Sequence, residues 1–253
     1  MSNGTRVAIV TGSSRGIGAS IAHQLAKDGY DLALNDLPSQ RHDLEKVLKD
    51  ITHLGRRGYI VTADVSSDQE VNAMVDDVVK HFGRLDVMVA NAGILSPSSL
   101  VETSVAQWDN VMSVNARGVF LCYKYAARAM IAGGRGGRII GAASLAAKQA
   151  VVYAPAYSAS KFAVRGLTQS AAQELGKYSI TVNAYAPVPI PENPDEDTRA
   201  HLEARKIAEI AKTPVGRLGQ PGEVAHLVSY LASENSAFVI GQTISINGGQ
   251  FFD

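Results

Sequence analysis

The sequence predicts an α/β fold, a doubly wound parallel sheet of about seven strands with helices on both faces. Three observations predict it. Short apolar runs alternate with amphipathic helical patterns, no linker or repeat divides the 253 residues, and a glycine-rich turn joins the first run to the first helix.

The elements follow in order. Residues 6–11 form a short buried strand; then Ile17, Ile21 and Leu25 recur at four-residue spacing beside Ala22 and Ala26, one apolar helix face. Residues 30–36 are the second strand, Leu44, Val47, Leu48, Ile51 and Leu54 carry the next helix, and residues 59–65 are the third strand. Ser67 with Glu70 is a capping-box pattern opening a helix over Val71, Met74, Val75, Val78 and Val79. Residues 85–92 are the fourth strand, and Ser104 with Gln107 repeats the pattern ahead of one long helix through Met130. A strand at 138–144, a helix at 157–177 and a strand at 180–186 come next. Helices around 199–211 and 222–232 and a strand at 243–246 complete one domain spanning residues 1–253.

Bulk composition narrows the function. With 19% charged and 46% hydrophobic residues the chain is an ordinary globular protein, not a disordered one. Its 24 basic residues balance 24 acidic ones, so no global charge draws it to nucleic acid or an anionic membrane, and neither is an expected partner. Cys122 is the only cysteine, which rules out an intrachain disulfide and suits a reducing compartment; the expected location is the cytoplasm. No leader precedes the first strand, and no apolar stretch reaches the ~20 residues of a membrane span. His23, His53, His81 and His226 lack ligand-like clustering, so no metal site is expected, and Trp108 is expected to pack a helix interface.

One segment breaks the composition. Residues 187–197 hold four prolines and four acidic residues, which forbids regular structure and makes a loop at the carboxyl edge of the sheet, where ligands of open α/β sheets bind. It reads either as a solvent loop or as the start of a substrate or cofactor lid over residues 187–212.

The turn between first strand and first helix is Thr11-Gly12-Ser13-Ser14-Arg15-Gly16-Ile17-Gly18. Glycines there let the backbone turn tightly and let a pyrophosphate approach the free N–H groups of a helix start, the Rossmann-like arrangement. Asp36 ends the second strand, where an acid can accept bonds from an adenosine ribose and repel the extra phosphate of NADP. The lesser alternative is a turn aspartate before Pro38, and Arg15 argues for NADP. The short-range repulsion at Asp36 decides for NAD as cofactor, with NADP second.

Tyr157 and Lys161 stand four apart at a helix start, so both side chains face the same way. An ammonium beside a phenol, together with an oxidised nicotinamide, favours the phenolate and brings a group of pKa ~10 toward working pH. Ser144, thirteen residues earlier at a strand end, can reach the same point. Tyr153 has no lysine at that offset and reads as a pocket wall.

Together these features resemble the short-chain dehydrogenase/reductase family over nearly the whole chain. The glycine turn is similar to the family's Thr-Gly-x-x-x-Gly-x-Gly, Asn91-Ala92-Gly93 to its Asn-Ala-Gly motif, and Tyr157 with Lys161 to its catalytic pair. The runs 156–169 and 182–187, with Gly241-Gln242, look like the acetoin/diacetyl reductase or 2,3-butanediol dehydrogenase branch. The resemblance implies a nicotinamide-dependent oxidoreductase interconverting a small-molecule alcohol and ketone. It implies that Asp64 and Val65 flank the adenine, Asn91 supports the sheet, and Ala92 and Gly93 lie along the cofactor. It also implies that Asn115 holds a water linking Lys161 to solvent, Ser144 polarises the carbonyl, Tyr157 transfers the proton, and Lys161 bonds the nicotinamide ribose. A homotetramer or homodimer is implied in the same way.

The pattern breaks after the sixth strand. The family has Pro-Gly, then Ile or Val, then threonine five residues after the proline. Here Pro187 and Ile190 survive as candidate cofactor contacts, but Val188 replaces the glycine and Glu192 the threonine. Valine resists positive φ, so the turn is expected to differ. A reshaped, more open mouth suited to a substrate bulkier than diacetyl or acetoin is the expectation; a sugar, a 3-oxoacyl group, or a non-catalytic regulator with an altered nicotinamide loop are the alternatives.

Overall fold

The computed structural model describes residues 4–188 and 210–252. Strands β1 (Val7–Thr11), β2 (Asp31–Asp36), β3 (Gly58–Thr62), β4 (Val87–Ala90), β5 (Gly137–Ala142), β6 (Ile180–Pro187) and β7 (Thr243–Ile246) form one sheet in the order β3-β2-β1-β4-β5-β6-β7. Every pairing is parallel. Strand side chains alternate between two cores. Val7, Ile9, Met88 and Ile139 point to one face, and Ala8, Val10, Val87, Val89 and Ile140 to the other. The first face is covered by α3 (Asp68–Phe82), α5 (Gly118–Gly133) and α6 (Pro155–Leu175), through Val71, Met74, Leu121, Met130 and Val164. The second is covered by α1 (Gly16–Lys27), α2 (Arg41–His53) and α7 (Pro221–Ala232), through Ile21, Leu25, Leu44, Ile51, Val224 and Val228. Burial on both faces is why the strands read as continuous apolar runs rather than as alternating ones.

Several expectations are corrected. The helix from Ser104 through Met130 is two helices, α4 (Val105–Met112) and α5, joined by a π-turn at Ser113–Arg117. The turn draws Asn115 toward the loop after β4, a contact that periodicity does not register. The third, fourth and fifth strands end two or three residues early because their carboxyl ends leave the ladder to build loops. Both capping boxes form by half. Ser67 and Ser104 accept from the amides of Glu70 and Gln107, but the Glu70 carboxylate takes the Asp64 amide at 2.8 Å and the Gln107 amide group reaches Ser96 Oγ at 2.7 Å. Trp108 packs only partly and leaves 38% of its surface open. The helix expected around 199–211 falls largely outside the described residues. Among those described, no helix is long and apolar enough to cross a membrane, and no cluster of metal-ligating side chains occurs.

Candidate active site

The strand order reverses between β1 and β4, and there the two chains diverge at their carboxyl ends to open a cleft of about 570 Å³. A smaller concavity, about 350 Å³, sits at the opposite sheet edge among Arg6, Arg84, Arg135 and Arg138. It is read as structural: Arg84 clasps Asp86 with two bonds of 2.7 Å, and Asp86 in turn accepts the Val7 amide.

At one end of the cleft the glycine turn is tightly built. Gly12 and Gly16 adopt φ of +63° and +56°, conformations that favour glycine. A Cβ on Gly18 would fall on the Gly12 carbonyl oxygen and lie 2.7 Å from Asn91 Nδ2. Helix α1 has no acidic residue in its first turn and no side chain capping its start, so its amino end keeps donors and positive potential for an anion. Asp36 closes this end: its Oδ2 accepts from Ser14 Oγ at 2.6 Å and its Oδ1 from the Leu37 amide at 2.8 Å. Beside it the buried Asn35 donates to the carbonyls of Val61 and Ala63, while its Oδ1 finds no partner among the described residues and is left as an acceptor. Tight turn, anion-ready helix end and ribose-side acid together fit a dinucleotide.

At the other end lies Tyr157; the Ser144 hydroxyl, which donates to the Pro187 carbonyl at 3.5 Å, lies close enough to the phenol to oppose in part the effect of burial on it. Ser144 stands two residues past β5 rather than in it, and caps a short 3-10 turn by accepting the Ala146 amide at 3.1 Å. Lys161 is buried; its Nζ donates to the Ala142 carbonyl at 2.8 Å and sits 5.4 Å from the centre of the Tyr157 ring. Burial lowers the Lys161 pKa to about 8, and burial raises that of Tyr157, with Ser144 only partly offsetting it. The expectation that Lys161 together with an oxidised nicotinamide brings the phenol toward working pH concerns the cofactor-bound site; in the protein by itself burial dominates. Tyr157 is held protonated, the state that donates a proton.

Asn115 is fully engaged. It exchanges two 2.8 Å bonds with Ile94 and donates to Ser160 Oγ at 3.2 Å, and Ser160 donates back to the Tyr157 carbonyl at 2.7 Å. A Cβ on Gly93 would lie 3.2 Å from Asn115 Oδ1, a tight contact, and 3.5 Å from Lys161 Nζ, an ordinary one, so both groups close on the loop here. Asn91 donates to the Thr11 and Gly12 carbonyls at 2.8 and 3.2 Å, tying β4 to the turn.

The expected residues Gly12, Ser14, Arg15, Ile17, Gly18, Asp36, Asp64, Val65, Asn91, Ala92, Gly93, Tyr157, Lys161 and Pro187 all line the cleft. Gly16 shapes the turn; like it, Ser144 and the fully buried Asn115 do not line the cleft formed by the described residues, and Ile190 and Glu192 lie outside those residues. Tyr153 is corrected: it is 68% exposed and does not line the cleft formed by the described residues. Val188 is buried without positive φ. Sequence reasoning missed Asn35, Leu37, Ile94, Leu95, Asn110, Val114 and Tyr185. Alternation along β6 from Asn183 through Tyr185 to Pro187 is the signal that could have found Tyr185.

Similarity to known proteins agrees with this geometry. A family profile described as enoyl-(acyl carrier protein) reductase matches residues 12–250. A short-chain dehydrogenase/reductase of Armillaria gallica is 46% identical over 252 residues, covering 98% of this chain and 97% of the relative. The chain belongs to the short-chain dehydrogenase/reductase family. Other members similar to it are a 3-oxoacyl-[acyl-carrier-protein] reductase of Staphylococcus aureus (39% identical, 98% of each chain) and the L-2,3-butanediol dehydrogenase of Corynebacterium glutamicum (39%, 98% of this chain and all of the relative). The crystal structure of acetoin dehydrogenase YohF from Salmonella typhimurium superposes with a TM-score of 0.88 at 35% identity, covering 97% of this chain and 96% of that one. The protein is thus an oxidoreductase of this family on a Rossmann-like fold.

Proposed function

We propose that this short-chain dehydrogenase/reductase is a cytoplasmic, NAD(H)-preferring reductase of ketones and dehydrogenase of secondary alcohols. One observation carries the proposal: Tyr157 and Lys161, with Lys161 Nζ 5.4 Å from the ring centre and Ser144 beside the phenol, at the inner end of a cleft whose outer end is the glycine turn and Asp36. The nicotinamide supplies hydride chemistry when bound. Gly12, Ser14, Gly18 and the start of α1 take its pyrophosphate, Asp36 its adenosine ribose, Asp64 and Val65 flank the adenine, and Lys161 takes the nicotinamide ribose. Ser144 orients the carbonyl by hydrogen bond, and Tyr157 donates its proton to the oxygen as the carbonyl carbon is reduced. Lys161, charged below pH about 8, favours the phenolate that is left, and Asn115 keeps the loop at Ile94 and the helix around Ser160 in register for reprotonation from solvent.

The butanediol dehydrogenase and acetoin dehydrogenase relatives support a small hydroxyketone chemistry, and the departure of the segment after β6 from the family pattern, read as a more open mouth, is the ground for a substrate bulkier than diacetyl or acetoin. The exposed Phe120 and Phe162 of α5 and α6 favour pairing across subunits in a homo-oligomer. A second reading, reduction of a 3-oxoacyl group, has the Staphylococcus aureus relative in its favour. NADH and NADPH fluorescence titrations followed by a ketone and acetoacetyl-thioester screen test both. Tyr157→Phe is expected to bind NADH as the wild type does while turnover falls by about 10²–10⁴-fold. Full turnover in that variant, or binding of neither dinucleotide by the wild type, removes the proposal.

A further inference from the structure

Tyr185, in the middle of β6, is almost completely buried, and its hydroxyl donates to Asn91 Oδ1 at 2.7 Å. On the reading of the glycine turn as a dinucleotide cradle, we propose that Tyr185 is a positioning residue for the cofactor, holding the turn in shape through Asn91. The bond fixes which way the Asn91 amide faces. With the oxygen taken by the tyrosine donor, Nδ2 must turn to the Thr11 and Gly12 carbonyls, 2.8 and 3.2 Å away. A reversed amide would set its oxygen against the two carbonyls, and the Tyr185 hydroxyl would have to turn from donor to acceptor. The amide nitrogen is also the floor on which the turn packs: a Cβ on Gly12 would lie 3.0 Å from it and a Cβ on Gly18 2.7 Å. Burial pushes the Tyr185 phenol far above its ordinary value, so it remains a donor throughout the working range. Removing the hydroxyl leaves Asn91 Oδ1 without its donor and frees the amide to rotate away from Gly12, loosening the backbone that approaches the pyrophosphate.

Tyr185→Phe tests this without reliance on turnover. The dissociation constant for NADH, read by fluorescence, is expected to rise about tenfold, the scale of one hydrogen bond lost from an anchored group. Hydrogen exchange in a peptide over residues 11–18 should quicken while a peptide over 68–82 stays as in the wild type. The KM for NADH should rise along with the dissociation constant while the pH profile of turnover keeps its shape, which separates a role at the turn from one at Tyr157. In an Asn91→Ala background, Tyr185→Phe should add nothing further to the dissociation constant. An unchanged constant in Tyr185→Phe, or a shifted pH profile with binding intact, overturns the inference alone. If the wild type binds neither NADH nor NADPH, the reading of the turn fails first and takes the inference with it. Should Tyr185→Phe prove too unstable for titration, exchange at residues 11–18 equal to that at 68–82 still refutes it.

Discussion

Replacing Gly18 with alanine sets two physical effects against each other. Gly18 lies inside α1, where alanine is the better helix former by about 0.8–1 kcal/mol. Its Cβ, however, would fall on the Gly12 carbonyl oxygen and near Asn91 Nδ2. The first of these is main chain in a positive-φ turn and cannot swing aside, so the helix start and the turn must separate. Overpacking of that kind costs about 1–3 kcal/mol, and its upper half applies to a backbone contact, which leaves a net loss of about 1–2 kcal/mol. For a chain of this size that is a fall in melting temperature of about 2–8 °C. Gly222 in the first turn of α7 is the control, since a Cβ there meets nothing within 4 Å and its φ is not positive. Gly222→Ala should leave stability unchanged or raise it by up to about 1 kcal/mol. Thermal unfolding by circular dichroism, with and without NADH, reads both. The close approach also predicts that Gly18→Ala loses the thermal shift NADH gives the wild type. A Gly18→Ala protein as stable as Gly222→Ala, with its NADH shift intact, refutes the argument.

Two further predictions concern the ends of the cleft. Asp36→Ala removes the carboxylate held by Ser14, so NADH binding should weaken by about tenfold while NADPH binding strengthens; parallel fluorescence titrations check it, and an unaltered preference would show that Asp36 does not face the ribose. Lys161 has a folded pKa of about 8, below its unfolded value near 10.5. The unfolded chain therefore binds more protons between these values, and stability rises with pH across that window as the cost of the buried charge is lifted; below pH 8 that cost is fully present. The urea-unfolding free energy of the wild type minus that of Lys161→Met should increase by about 2–3 kcal/mol from pH 8 to 10, and a flat difference would show that Lys161 is not titrating in a dry site.

Much of this protein was legible in the residues themselves. Helix faces such as Ile21, Leu25 and Leu44, Val47, Ile51 are local repeats, and burial of every such face forces a layered sheet. The turn from Gly12 to Gly18 and the four-residue offset of Tyr157 and Lys161 are equally local, because chain geometry fixes where those side chains point. Tertiary structure decided what contacts between distant segments decide. Periodicity says that a face is buried and not against what. It could not foresee the π-turn that brings Asn115 to Ile94, nor the β6 tyrosine whose hydroxyl meets Asn91 across 94 positions of sequence. Nor could it set the state of Tyr157, whose proton the burial of the assembled site holds in place. Desolvation is a property of the packed whole, and no local pattern encodes it.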